Sequence, residues 1–141
     1  MLSKADLTAE TLAAVLEQST DCVKLIDLDG RVLWMNANGL CLMEIDNFCD
    51  VENGLWSDMW PEASRSEIRG ALVSAAVGNV ARLDAHCPTA KGTDRRWSVT
   101  ISRLENPHRE HVGYLAVSRD ISDISCPHCG TDKAAGTPSP A

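Results

Sequence analysis

The stretch CVKLIDLDGRVLWMN, residues 22–36, places two apolar-rich runs on either side of Asp29-Gly30. Asp-Gly between strand-like runs signals a hairpin, because both turn positions accept positive φ. Asp27 and Asp29 then read as turn formers. The second run ends at Asn36, and Asn36 and Asn38 can each cap a following helix over roughly 37–45. A strand, a tight turn, a strand and a capped helix are therefore expected in succession.

The flanking segments extend this pattern. Upstream, LTAETLAAVLEQ (7–18) predicts a short helix, with Thr8 as cap and Leu7 and Leu12 placed for a hydrophobic staple. Its apolar stripe, Leu12, Val15 and Leu16, is narrow and must lie on something. Downstream, 46–60 is polar and contains Gly54, which predicts a loop with a helical turn or two; Trp56 and Trp60 in it are expected to plug the edge of a core. Pro61 suits an early helical turn, and Ser64-Arg65-Ser66-Glu67 has the form of a capping box. Ile68, Leu72, Ala75 and Ala76 keep helical spacing until Gly78-Asn79 ends the run. Three strands follow, at 80–87, 95–104 and 112–121, with Asn106-Pro107 turning the last two into a hairpin. Helix, two strands, a helical middle and three strands imply an α+β fold: one antiparallel sheet with helices mostly on one face. The chain divides into an N-terminal amphipathic helix (1–20), one domain (21–123) and a tail (124–141) rich in Gly, Pro, Ala, Ser and Thr. The tail lacks material for a core and is expected to be disordered.

Composition narrows the function classes. The chain has 141 residues, 44% apolar, with a net charge of −7 and only 4% aromatic residues. An acidic chain with few aromatics argues against nucleic-acid and anionic-membrane partners. The longest apolar run, Ala71 to Val77, is broken by Ser74, so no bilayer span is expected. No apolar stretch follows Lys4, so no signal peptide is expected. A cytoplasmic, reducing setting follows, and the six cysteines read as thiols.

Three segments together resemble a PAS domain over roughly residues 12–123. STDCVKLIDLDGRVLWMNANGLCLMEI is similar to the family's opening, NGLWSDMWPE to the segment that leads through a Pro into the long helix, and GYLAVSRDISD to its last strand, with Ser122 where the family ending has Thr. The resemblance implies a five-stranded antiparallel sheet in the order 2-1-5-4-3, helices over one face, and a small-molecule pocket between them. It implies a module that senses, dimerises and relays signals without being an enzyme: a stand-alone sensor or adaptor, or a fragment of something longer. Its expected partners are a second copy and a signalling protein such as a sensor kinase or regulator.

The resemblance also bears on cofactors. Flavin photoreceptors of the family carry a reactive Cys in an Asn-Cys-Arg motif after a Gly. The matching positions here are Gly54 and Ser57, and the flavin-contacting amides fall at Ser98 and Ser118, so no flavin adduct is expected. Haem-binding members use a His on the long helix, and 62–79 contains none; His86 shares a strand face with Arg82 and Asp84 that should be solvated. The ligand stays unidentified. The resemblance assigns Ser57, Trp60, Leu72, Ser98, Thr100, Tyr114, Ala116 and Ser118 to the pocket lining, with Ser102 on the same face. It assigns Arg119, Asp120 and Ile121 to signal coupling, although no output helix follows them here. Trp97, Val99, Ile101, Leu115 and Val117 then fall on the opposite face. Hydrophobicity alone would put that second set in the core. Both statements hold if the outer face is covered by the Leu12/Val15/Leu16 helix, a second subunit, or both. The alternative is that the Ser and Thr residues merely bond locally and no pocket exists, which makes the chain a ligand-free structural adaptor.

Cys126-Pro127-His128-Cys129 competes for attention. Cys126 and Cys129 have the spacing of half a zinc knuckle, which His86, Cys87, His108, His111 or a second tail could complete. The same spacing occurs in thiol-disulfide oxidoreductases, where a helix N-terminus lowers the thiol pKa, and no such helix is expected here. A lone CxxC on a mobile tail is most often incidental; a zinc or thiol switch through Cys126 and Cys129 is the second functional expectation, and the ligand-free structural adaptor is the third.

Overall fold

The computed structural model describes residues 9–122, so the Cys126/Cys129 expectation lies outside the described residues. In chain order the elements are α1 (Ala9–Glu17), β1 (Cys22–Ile26), β2 (Val32–Met35), α2 (Ala37–Leu42), two 3-10 turns (Phe48–Asp50 and Trp56–Met59), α3 (Glu62–Ala76), β3 (Ala81–His86), β4 (Arg96–Glu105) and β5 (His111–Asp120). The five strands form one antiparallel sheet in the order β2-β1-β5-β4-β3. The expected α+β architecture and strand order are both present.

The hairpin closes where expected, with a different turn. The Gly30 amide donates to the Asp27 carbonyl (3.0 Å) and the Asp27 amide to the Arg31 carbonyl (2.9 Å), so the loop holds three residues, Leu28 to Gly30. Only Gly30 takes positive φ, at 85°, while Asp29 does not. This is the pattern of a turn followed by a left-handed glycine. Asp27 stabilises it by accepting from the Asp29 and Arg31 amides, each at 2.9 Å.

Asn36 caps α2 as expected and does considerably more. Its Oδ1 accepts from the amides of Gly39 (2.9 Å) and Val23 (3.0 Å). Its Nδ2 donates to the carbonyls of Asp21, Leu16 and Ser19 at 3.1–3.4 Å. The end of α1, the start of β1 and the start of α2 thus meet on one fully buried side chain. The expected capping box at Ser64–Glu67 does not form. Helix α3 begins earlier, at Glu62, with Pro61 as its cap residue, so Ser64 lies inside the first turn. Pro61 pre-sets a φ suited to a helix start, and that start wins. From α3, Arg65 Nε donates to the Trp60 carbonyl (2.9 Å) and pins the segment before the helix.

The sheet face under the helices carries the core. Paired residues of an antiparallel sheet share a face, so the register reads across it as Cys22–Ser118–Val99–Leu83 and Met35–Lys24–Ala116–Ile101–Ala81. The β4 expectation is therefore reversed. Trp97, Val99 and Ile101 face the helices and are fully buried, while Ser98, Thr100 and Ser102 face outward, half-buried. The resemblance set the phase of β4 one residue off; burial of a Trp-Val-Ile row outweighs it energetically. On β5, Tyr114, Ala116 and Ser118 face inward, and Leu115 and Val117 stay half-buried on the outer face. Helix α1 does not cover that outer face with its stripe: Leu12 and Val15 are 50% and 62% exposed, and Leu16 is half-buried.

Two ion pairs tie the end of β5. Arg119 bonds Asp21 side-on at 3.3 and 3.4 Å, and Arg95 meets Asp120 at 2.6 Å. Burial opposes ionisation of Asp120, but hydrogen bonds from Ser122 and the Arg95 guanidinium outweigh it and hold its pKa below the usual carboxylate value. Its stabilisation is thus in force above the ordinary carboxylate pKa and is lost as pH falls through the lower folded value. Asp120→Asn should lower Tm at pH 7, and its deficit should close as pH falls through and below the ordinary carboxylate range; a deficit independent of pH in thermal melts would contradict this. The glycines give a second test. A Cβ on Gly113 would lie 2.5 Å from the Ile26 carbonyl oxygen, whereas one on Gly70, in α3, meets nothing within 4 Å. In urea unfolding, Gly113→Ala should cost about 3 kcal/mol, while Gly70→Ala should add about 0.5–1 kcal/mol.

Candidate functional site

Strand alternation sends Cys22, Lys24 and Ile26 of β1 under the helices. Lys24 is the anomaly, because a lysine in mid-sheet is here only 3% exposed. Its neighbour across the strand pair is Ala116, whose small side chain leaves room for the lysine stem. The Lys24 Nζ donates to Cys22 Sγ at 2.9 Å and sits 6.0 Å from the centre of the Trp56 ring. Diagonally across, Ser118 is 2% exposed, and its Oγ is buried with no hydrogen-bond partner. A buried ammonium and a buried unpaired hydroxyl are both costly unless something completes them.

Both line one small cavity, together with Met43, Trp56, Met59, Trp60, Cys87 and Trp97. No acidic side chain is among these lining residues. The walls are fixed by their own bonds. Trp56 and Trp60 stack edge to face at 5.9 Å. Trp97 Nε1 donates to the Cys87 carbonyl (3.0 Å), and the Cys87 thiol donates to the Met59 carbonyl (3.1 Å). Burial pushes the Cys87 thiol up, with Lys24 pulling the other way, so Cys87 is a wall and not a nucleophile.

The cavity is about 10 Å³, room for about one water. A haem or flavin does not fit this arrangement of side chains. On the far side of Met43 and Met59 lies a cleft of about 300 Å³, lined also by Ile45, Val51, Pro88, Thr89 and Ala90. Its rim is braced. Glu44, in a left-handed conformation at φ 57°, accepts from the hydroxyls of Thr89 and Thr93, and the Ala90 amide donates to the Met43 carbonyl (2.9 Å). The threonine hydroxyls lower the Glu44 pKa. Met43 and Met59 line both chamber and cleft.

The expected site residues distribute as follows. Trp60 and Ser118 line the chamber; Ala116 is buried beside Lys24 on the paired strand but is not among the lining residues. Ser57 is buried in the 3-10 turn, Leu72 packs toward Gly30, and Tyr114 stacks on His111 at 4.8 Å; none of the three lines the chamber. Ser98 and Thr100 line a groove of about 200 Å³ on the opposite sheet face with Asp21, Val117 and Arg119. Ser98 and Ser118, matched above to one flavin-contacting pair, therefore lie on opposite faces. Arg119, Asp120 and Ile121 hold the strand end, Ile121 through its amide to the Arg96 carbonyl (2.9 Å). His86 lies on the solvated face of β3. No group of three His, Cys, Asp or Glu able to hold a metal occurs among the described residues.

Sequence reasoning missed Lys24, Cys22, Met43 and Met59 and misplaced Trp97. The signal for Lys24 was the face it shares with Cys22 and Ile26, but Val23 and Leu25 make the other face equally apolar.

The comparisons agree with this architecture. The PAS fold family profile matches residues 16–124. No curated protein matches the chain significantly. Among solved structures, the PAS domain of a Colwellia psychrerythraea protein superposes with a TM-score of 0.72 at 15% identity, covering 81% of this chain and 97% of that one. The PAS domain of an HTR-like protein from Haloarcula marismortui gives 0.69 at 19% identity, covering 84% and 95%. A domain of a sensory box sensor histidine kinase/response regulator from Geobacter sulfurreducens gives 0.67 at 16% identity, covering 79% and 93%. With the sheet order, the helical cover and a family match over most of its length, the chain belongs to the PAS fold family.

Proposed function

We propose that this PAS domain is a sensory module of signal transduction that binds a small ligand in its core, pairs with a second copy, and relays occupancy to a signalling partner such as a sensor kinase or regulator. The observation that carries this reading is the chamber under Trp56, where buried Lys24 and the unpaired Ser118 hydroxyl face a space lined also by Met43 and Met59. A pure packing core would fill that space with apolar atoms. The route out is short. Ser118 is followed by Arg119, which grips Asp21 at the α1–β1 junction, and by Asp120, which grips Arg95. A shift of β5 at Ser118 therefore loads both ion pairs. Binding and relay, not catalysis, is the proposed role. A cytoplasmic location fits it, and no helix among the described residues is long and apolar enough to cross a membrane.

Pairing is supported by the outer sheet face. Leu25, Trp34, Leu115 and Val117 lie there half-buried, beside exposed Leu33 and Val112, and the α1 stripe is uncovered. A patch of this kind commonly marks an interface.

Two measurements test the proposal. The low-molecular-weight fraction of a cell extract should raise Tm by several degrees and slow amide exchange at residues 21–24 and 118–120; no change in either would overturn ligand sensing. Light scattering at micromolar concentration should show a dimer that Leu115→Glu and Val117→Glu convert to a folded monomer. A wild-type monomer, or a dimer indifferent to both charges, would overturn the pairing.

A further inference from the structure

The chemistry of the chamber specifies its ligand more closely, on the reading that the chamber is a ligand site. Lys24 brings three N–H donors and has one protein acceptor, the weakly accepting sulfur of Cys22. Ser118 brings a buried hydroxyl with no partner at all. On paired strands the two positions are diagonal neighbours, a separation that a long side chain spans. One planar group with two acceptor oxygens can engage both. A cation is excluded by Lys24, and a phosphate dianion calls for more donors than these two.

The rest of the lining is apolar or aromatic, and it continues outward. Met43 and Met59 belong to both chamber and cleft. An unbranched thioether side chain rotates easily and packs against varied shapes. Rotation of these two side chains would join the chamber to a cleft of about 300 Å³ walled by Ile45, Val51 and Pro88, with the bond between Glu44 and Thr89 bracing its mouth.

We infer that this PAS domain binds a small apolar monocarboxylate, its carboxylate held between Lys24 Nζ and Ser118 Oγ and its hydrocarbon body passing between Met43 and Met59 into the outer cleft. The anion completes a buried cation that otherwise lacks a counter-charge, so binding and folding reinforce each other. The three tryptophans of the chamber supply the optical signal.

The probes are hexanoate and benzoate, set against hexanamide and benzamide, which keep the shape and remove the charge. Tryptophan fluorescence, thermal shift and calorimetric titration should show saturable binding of at least one acid, with its amide at least about tenfold weaker, the loss expected when a hydrogen bond to a charged group is removed. Lys24→Met should weaken acid binding by a similar factor while leaving the unliganded Tm unchanged or higher, because it removes an unpaired buried ammonium without opening a void. Ser118→Ala should weaken it severalfold. Should Lys24→Met not fold, the acid–amide comparison and Ser118→Ala decide alone. Amides binding as well as acids, or acid binding indifferent to both substitutions, would overturn the carboxylate assignment and leave the sensory reading standing. No binding of any probe would also overturn it. The sensory reading itself falls only if the cell extract is inert as well.

Discussion

Asn36 is the contact on which the rest of the molecule depends. Its side chain satisfies two amides and meets three carbonyls, and those groups belong to the end of α1, the start of β1 and the start of α2. A buried side chain that is this fully bonded locks geometry, because each lost partner would leave a desolvated polar group. Gly39 completes the junction. A Cβ there would fall 2.7 Å from Asn36 Oδ1 and 2.9 Å from Cys22 Sγ, so only glycine lets α2 come down onto β1. Cys22 is in turn the acceptor for Lys24. The position of the buried ammonium is thus set through Asn36 and its neighbours.

Strand β5 connects this centre to the exterior. Its alternation turns Ser118 into the chamber and Arg119 to the opposite face, and the next residue, Asp120, is held by Arg95. The central strand of a five-stranded sheet cannot move without its neighbours on both sides. Of the two ion pairs at its end, Arg119–Asp21 has an exposed guanidinium and is the weaker, while Arg95–Asp120 is mostly buried. The core beneath them is held differently, by Trp-Trp stacking and by hydrogen bonds that pin Trp97 and Cys87. Rigid walls with two methionines shared by chamber and cleft concentrate any adjustment at Met43 and Met59.

Several features were readable at once from local chemistry. Asp29-Gly30 located the hairpin, though the backbone closes it with one left-handed residue instead of two. Asn36 announced a helix cap, yet a cap uses only one of its bonds; the other four come from segments that meet only after folding. The Ser64–Glu67 box was outcompeted by Pro61, three residues upstream. On β4, simple alternation placed Trp97, Val99 and Ile101 correctly in the core, and the family likeness shifted them to the wrong face. Alternation has two phases, and for an amphipathic strand hydrophobicity chooses between them better than motif alignment does.

The order of elements and the turn positions follow from residues 22–36 and the segments arrayed around them, because turns, caps and period-two patterns are written in neighbouring residues; the sheet order entered only through the resemblance to a family. The chamber does not follow from them. Val23 and Leu25 make one face of β1 as apolar as the face carrying Cys22, Lys24 and Ile26, so no local rule says that Lys24 points inward. Pairing with Ala116 and the helical lid above it made that choice. Only the folded sheet brings Lys24, Ser118, Met43 and Met59 to one place, since they lie on four separate segments with nothing in their spacing to link them.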